Sequence, residues 1–184
     1  MIVAAALASS GCGSGEGGLL EPLPAGGVEQ VADKGGRAAA LIRDGGLSAR
    51  VNGVWASENA QTLRVTFRND DRSARRVSLR EFGLRAGDAG AELWNAADVT
   101  GVDLQDGRRD NDDARSLHSD GDPATLATII EVPAGSSREL DLEFTNYPEG
   151  RRVSAGDRVV ATVPMGRRTA QVAFTCSDPS SWLF

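Results

Sequence analysis

Histidine occurs once in these 184 residues, cysteine twice, tyrosine once and tryptophan three times. Each shortage removes a class of chemistry. A structural zinc site takes four closely spaced His, Cys or carboxylate ligands, and His118 with the widely separated Cys12 and Cys176 does not make one. A Ser-His-Asp hydrolase would have to use His118, yet no Gly-x-Ser-x-Gly elbow leads into a helix. Lysine is reduced to Lys34, so the 20 cationic residues are almost all arginine, and 26 acidic residues outnumber them to give a net charge of −6. That balance opposes general nucleic-acid binding, which needs cations to displace phosphate counterions. No apolar run reaches the roughly 18 to 20 residues of a membrane-spanning helix.

What is present fits one ordinary domain with a tail. Hydrophobic residues at 40% and charged residues at 25% are enough for a packed core. The 22 glycines cluster in the first third. Ile2 to Ala8 is a short apolar run of the length of a signal-peptide core, and the small residues Ser9-Ser10-Gly11 lead to Cys12. Gly13 to Gly18 and Glu21 to Gly27 are rich in Gly and Pro and read as a tether.

This border resembles the signal of bacterial lipoproteins, in which a peptidase cuts just before a cysteine carrying diacylglycerol. Ser9 stands where that family has a large aliphatic residue, and no Lys or Arg precedes the apolar run. The resemblance implies a signal peptide over 1–11 and a lipidated Cys12 opening a flexible linker over 12–36. It also implies a domain over 37–184, held at the bacterial cell envelope by its lipid and facing the periplasm. Acyl chains on one residue hold a protein at the bilayer because each buried methylene contributes about 0.8 kcal/mol.

Beyond the tether, alternation with a period of two dominates. Leu47, Ala49 and Val51 alternate with polar residues, as do Leu63, Val65 and Phe67, then Leu140, Leu142 and Phe144, then Ala170, Val172, Phe174 and Cys176. Such alternation marks strands with one buried and one wet face. Further strands are expected at Val77 to Leu84, Glu92 to Asn95, Leu126 to Val132 and Val159 to Val163. Only Val28 to Arg43 has a pattern compatible with a helix, and Gly35-Gly36 interrupts it. Short strands without helical crossovers imply antiparallel pairing, so the expected class is all-β, an antiparallel β-sandwich after a flexible N-terminal tether.

Three segments sharpen that expectation: "LRVTFRND" from Leu63, "EVPAGSSRELDLEF" from Glu131 and "VVATVP" from Val159. They resemble the small immunoglobulin-like (telokin-like) domains of bacterial surface and periplasmic lipoproteins, over about Leu47 to Cys176. The resemblance implies an immunoglobulin-like β-sandwich, export, and no shared catalytic residues or cofactor. The expected function is therefore a non-catalytic binding module whose partners are the membrane, through its lipid, and an envelope protein or glycan.

Two charge patterns bear on binding. Arg64, Arg68, Arg76 and Arg80 would form a basic stripe if residues 63–68 and 76–80 made a hairpin, while Glu139, Asp141 and Glu143 form an acidic one. Facing across strands, such stripes make a solvent-side charge ladder without any ligand. The segment Asp103 to Pro123 holds seven aspartates: Asp103, Asp106, Asp110, Asp112, Asp113, Asp120 and Asp122. Calcium takes six to eight oxygens, so Asp103, Asp106, Asp110, Asp112 and Asp113 make a calcium-binding module the alternative function, although EF-hand spacing is absent. A small carbohydrate-active domain is a further alternative, for which exposed Trp and a carboxylate pair would be the signs. Trp55 and Trp94 read as core or sheet-edge residues, and Trp182 belongs to an apolar chain end. Cys176 faces the core by parity, and its bridge to Cys12 is open only if that thiol is not acylated.

Overall fold

The structure is a computed structural model, and it describes residues 18–57, 60–86, 93–103, 115–116, 129–145 and 153–177. Among these residues every extended element is a β-strand and the one helical element is a single 3-10 turn. In chain order the strands are β1 (Gly18–Pro22), β2 (Val28–Ala32), β3 (Ala38–Asp44), β4 (Leu47–Ser57) and β5 (Ala60–Asn69). β6 (Arg75–Ser78), the 3-10 turn (Leu79–Glu81), β7 (Gly83–Ala86), β8 (Leu93–Asp103) and β9 (Arg115–Ser116) follow. The last four are β10 (Ile129–Val132), β11 (Ser137–Thr145), β12 (Arg158–Pro164) and β13 (Thr169–Cys176).

All pairings between named strands are antiparallel. The hydrogen-bonded path runs β1-β13-β12-β7-β8-β11-β5-β4-β3-β2, and β1 also pairs with β4. Eight strands therefore close on themselves, and the β2–β3 hairpin branches from the edge of β4. Closure hides strand edges that would otherwise offer unpaired N–H and C=O groups. β6 and β10 make a separate two-stranded sheet, and β9 pairs with β8.

One core lies inside. Val51 and Trp55 of β4, Leu63, Val65 and Phe67 of β5, and Leu140, Leu142 and Phe144 of β11 form one wall. Leu84 of β7, Val159, Ala161 and Val163 of β12, and Val172, Phe174 and Cys176 of β13 form the other. The fold is an all-β antiparallel sandwich, as the alternating segments predict, because one face of each strand must leave water. Phe67 meets Phe82 edge to face with ring centroids 6.2 Å apart, a geometry that aromatic quadrupoles favour. Cys176 is buried and carries a free thiol.

The structure corrects four expectations. The linker does not extend over 12–36: residues 18–22 and 28–32 are strands, and β1 is held on both sides, Leu20 opposite Cys176 and Gly53. Leu20 is 1% exposed, so burying this one large side chain ties a Gly/Pro-rich segment into the core. Residues 28–43 are a hairpin and not a helix. Asp33 accepts hydrogen bonds at Oδ1 from the N–H groups of Gly35 and Arg37, and Gly36 takes φ +79°, a left-handed conformation that glycine adopts without Cβ strain.

The strand expected over 77–84 is broken by the 3-10 turn, which lets Val77, Leu79 and Phe82 all reach the core. Finally, β6 pairs with β10 and not with β5, placing Arg76 opposite Glu131. The hairpin of 63–68 with 76–80 on which a continuous basic stripe depends does not form.

A buried asparagine organises the loops at the end of the sandwich where β5 finishes. Asn69 is fully buried and donates from Nδ2 to the carbonyls of Ser73 and Val132, both at 2.9 Å. Its Oδ1 accepts from the Asp71 N–H at 3.0 Å, and its own N–H donates to the Ser136 carbonyl at 2.9 Å. One side chain thus satisfies backbone groups of two loops that cannot satisfy each other. Close by, Asp44 receives Arg168 at 2.9 Å, pinning the β3–β4 and β12–β13 turns together, and Arg75 lies 3.4 Å from Asp71 across the β5–β6 connection.

Candidate functional site

The edge of β4 is shared: β3 pairs with its first half as far as Val51, and β1 pairs with its second half from Gly53. Asn52 stands at the fork. Because β1 and β3 diverge there, the outer face of β4 and β5 is open beneath the Asp33–Arg37 turn. A groove of about 470 Å³ results, lined by that turn, by Leu19 and Glu21 of β1, by Asn52 and Val54 of β4, by Thr62 and Arg64 of β5 and by Asp141 of β11. Small-molecule sites run from roughly 300 to 1,000 Å³.

Register explains the chemistry of the floor. Asn52 lies opposite Arg64, and Arg64 lies opposite Asp141, so three polar side chains form one row across three strands. Arg64 donates from Nε and a terminal nitrogen to the two Asp141 oxygens at 2.7 and 2.8 Å, a bidentate pair. Glu139 sits 3.5 Å from the same Nε and accepts from Thr66 Oγ1 at 3.3 Å. At the other end of the row Asn52 donates from Nδ2 to Asp33 Oδ2 at 2.7 Å. The Asp141 hydrogen bond drives the Arg64 pKa above its ordinary value; burial opposes this, and the charges of Asp141, Glu139 and Asp33 add to it. Arg64 is therefore a permanent cation whose donors toward Asp141 are already committed.

Beside the polar row runs an apolar one. Leu19 lies opposite Val54, and both are half-buried on the outer face next to Thr62. The groove thus offers aliphatic contact along one side and fixed carboxylate, amide and guanidinium groups along the other.

Of the residues singled out in the sequence, Arg64, Asp141 and Glu139 meet as the charge ladder predicted. Arg68 instead pairs with Asp70 at 2.9 Å. Trp55 is buried in the core, 1% exposed, so it offers no face to a sugar. Asp103 ends β8, while Asp106, Asp110, Asp112 and Asp113 lie outside the described residues, as do Cys12, His118, Asp120, Asp122 and Trp182. Among the described residues no group of three or more His, Cys, Asp or Glu is placed to hold a metal ion.

Sequence reasoning missed Asp33 and Asn52. The signal for Asp33 was Asp33-Lys34-Gly35-Gly36, a side-chain-capped turn followed by a residue free to take positive φ; nothing in the sequence pointed to Asn52. No protein-family model and no curated protein matches the chain.

Proposed function

We propose that this chain is a non-catalytic binding module of the bacterial cell envelope, an immunoglobulin-like sandwich tethered to the membrane through lipid on Cys12. The observation that carries the binding role is the row Asp33–Asn52–Arg64–Asp141. Asn52 holds Asp33 and Arg64 holds Asp141, which fixes both carboxylates for recognition. Groups already locked in place lose little freedom when a ligand arrives.

The anchor rests on the small residues before Cys12 and on the family resemblance there. With β1 starting at Gly18, five residues separate Cys12 from the sheet. At about 3.3 to 3.6 Å per residue such a spacer keeps the sandwich within roughly 20 Å of its anchor. The chain produced in a bacterial host fed labelled palmitate should carry label and sediment with membranes, and Cys12→Ala should lose both. An unlabelled wild type, or label retained by Cys12→Ala, overturns the anchor.

A further inference from the structure

We propose that the groove between the Asp33–Arg37 turn and the β4–β5–β11 face is a sugar-binding site for neutral or amine-bearing glycans. This deepens the reading of the sandwich as a binding module and rests on it, but it does not depend on the lipid anchor.

Arg64 already directs two donors at Asp141. Each carboxylate oxygen has about two acceptor positions, so both Asp141 oxygens keep one after receiving Arg64. Glu21 adds a third carboxylate beside Asp33 and Asp141, against two guanidiniums, Arg37 and Arg64. Arg64 in turn keeps three of its five N–H donors, so the groove offers both donors and acceptors. Its carboxylates outnumber its guanidiniums, and the matching ligand brings hydroxyls, which donate and accept, without negative charge. An anionic ligand brings acceptors and charge of the wrong sign.

The body of the ligand is set by Leu19 and Val54. A hydroxyl-rich ligand that also lays an apolar surface on aliphatic side chains is a sugar ring, with C–H groups on one face and hydroxyls round its rim. The cavity of about 470 Å³ accommodates one or two rings. An extended peptide added as a strand is the rival occupant, and the topology opposes it. The β4 edge is taken by β3 as far as Val51 and by β1 from Gly53, so the floor presents side chains. Only Asn52 lacks a partner strand on that edge, too short a gap for an added strand.

The test uses the full chain carrying Cys12→Ser, labelled with ¹⁵N, so that folding and binding are read in one spectrum. Three tetrasaccharides are titrated: N-acetylglucosamine (neutral), glucosamine (cationic) and galacturonic acid (anionic). The first two should shift the Arg64 Nε–H and Asn52 Nδ2–H signals at millimolar concentration, and the third should leave them in place. Asn52→Ala and Thr62→Ala should each weaken binding of the better sugar at least tenfold while the core amide signals stay put. Having two variants keeps the test sound if one of them perturbs the fold.

Silence with both the neutral and the cationic oligomer overturns the proposal. Equal response to all three, or full affinity in both variants, does so as well. Palmitate labelling is read separately on the wild type, so silence of the Cys12→Ser chain toward the sugars beside a labelled wild type rejects the site and leaves the anchor standing.

Discussion

Trp55 of β4 donates its indole N–H to the Ser177 carbonyl over 3.0 Å, joining residues 122 positions apart inside the closed sandwich. Gly18 lies against this hydrogen bond, and a Cβ there would collide with both the indole nitrogen and the Ser177 carbonyl. Ser177 also receives the Leu19 N–H on its hydroxyl at 2.8 Å and donates its own N–H to the Leu19 carbonyl at 2.9 Å. The closure of β1 against β4 and β13 thus depends on a glycine, an indole and a serine. Gly18→Ala should destabilise by about 1 to 3 kcal/mol through overpacking. Trp55→Phe should cost a similar amount, since it deletes volume and strands a buried carbonyl. Urea denaturation monitored by circular dichroism measures both.

Asn69 gives a second prediction. Asn69→Ala leaves two carbonyls and one N–H without their partner, at about 1 to 3 kcal/mol for each buried group left unsatisfied. Asn69→Asp should be harmful too, because a carboxylate accepts from Asp71 N–H but cannot donate to Val132 and Ser73. Both variants should melt well below the wild type, and a melting temperature unchanged in either would show that water replaces the side chain.

The Arg64–Asp141 pair is well formed yet half in solvent, with the arginine side chain 47% exposed. Screening by water limits its contribution to stability to about 0.2 to 1 kcal/mol. A double-mutant cycle with Arg64→Ala and Asp141→Ala should return a coupling in that range, shrinking as salt is added. A larger, salt-insensitive coupling would mean that the row contributes to the fold as well as to the groove.

How far the sequence could be read follows from which faces are wet. β4, β5, β11 and β13 are legible because each has polar residues outside and a core face inside. β3 is not, since the neighbouring Ala39 and Ala40, on opposite faces, are both fully buried, and Ala38 to Leu41 shows no alternation. β1 was hidden by Gly and Pro, and only Leu20 marks it. The charge ladder was visible as opposite signs on separate strands, but the groove needs the fork at Asn52. That fork follows from two strands competing for one edge of β4, a long-range pairing that no local pattern encodes.

Cys176 supplies the pH-dependent prediction. Burial, and then the charge of Asp157, push its thiol up to about 12 from an ordinary value near 9. Below pH 9 the thiol is protonated in both the folded and the unfolded chain, and it adds no pH dependence. Between 9 and 12 the unfolded chain releases the proton while the folded one retains it. Folded protein then binds more protons, and stability falls as pH rises, by at most about 1.4 kcal/mol per pH unit. Cys176→Ala removes this contribution, so the difference in unfolding free energy between wild type and variant should narrow steadily from pH 9 upward. The same burial predicts that, in a chain carrying Cys12→Ser, the native Cys176 thiol resists a disulfide reagent at pH 8 and reacts promptly in denaturant. A parallel pH course in the two proteins, or rapid labelling of the native chain, would show that the β13 end opens to solvent despite the Trp55–Ser177 closure.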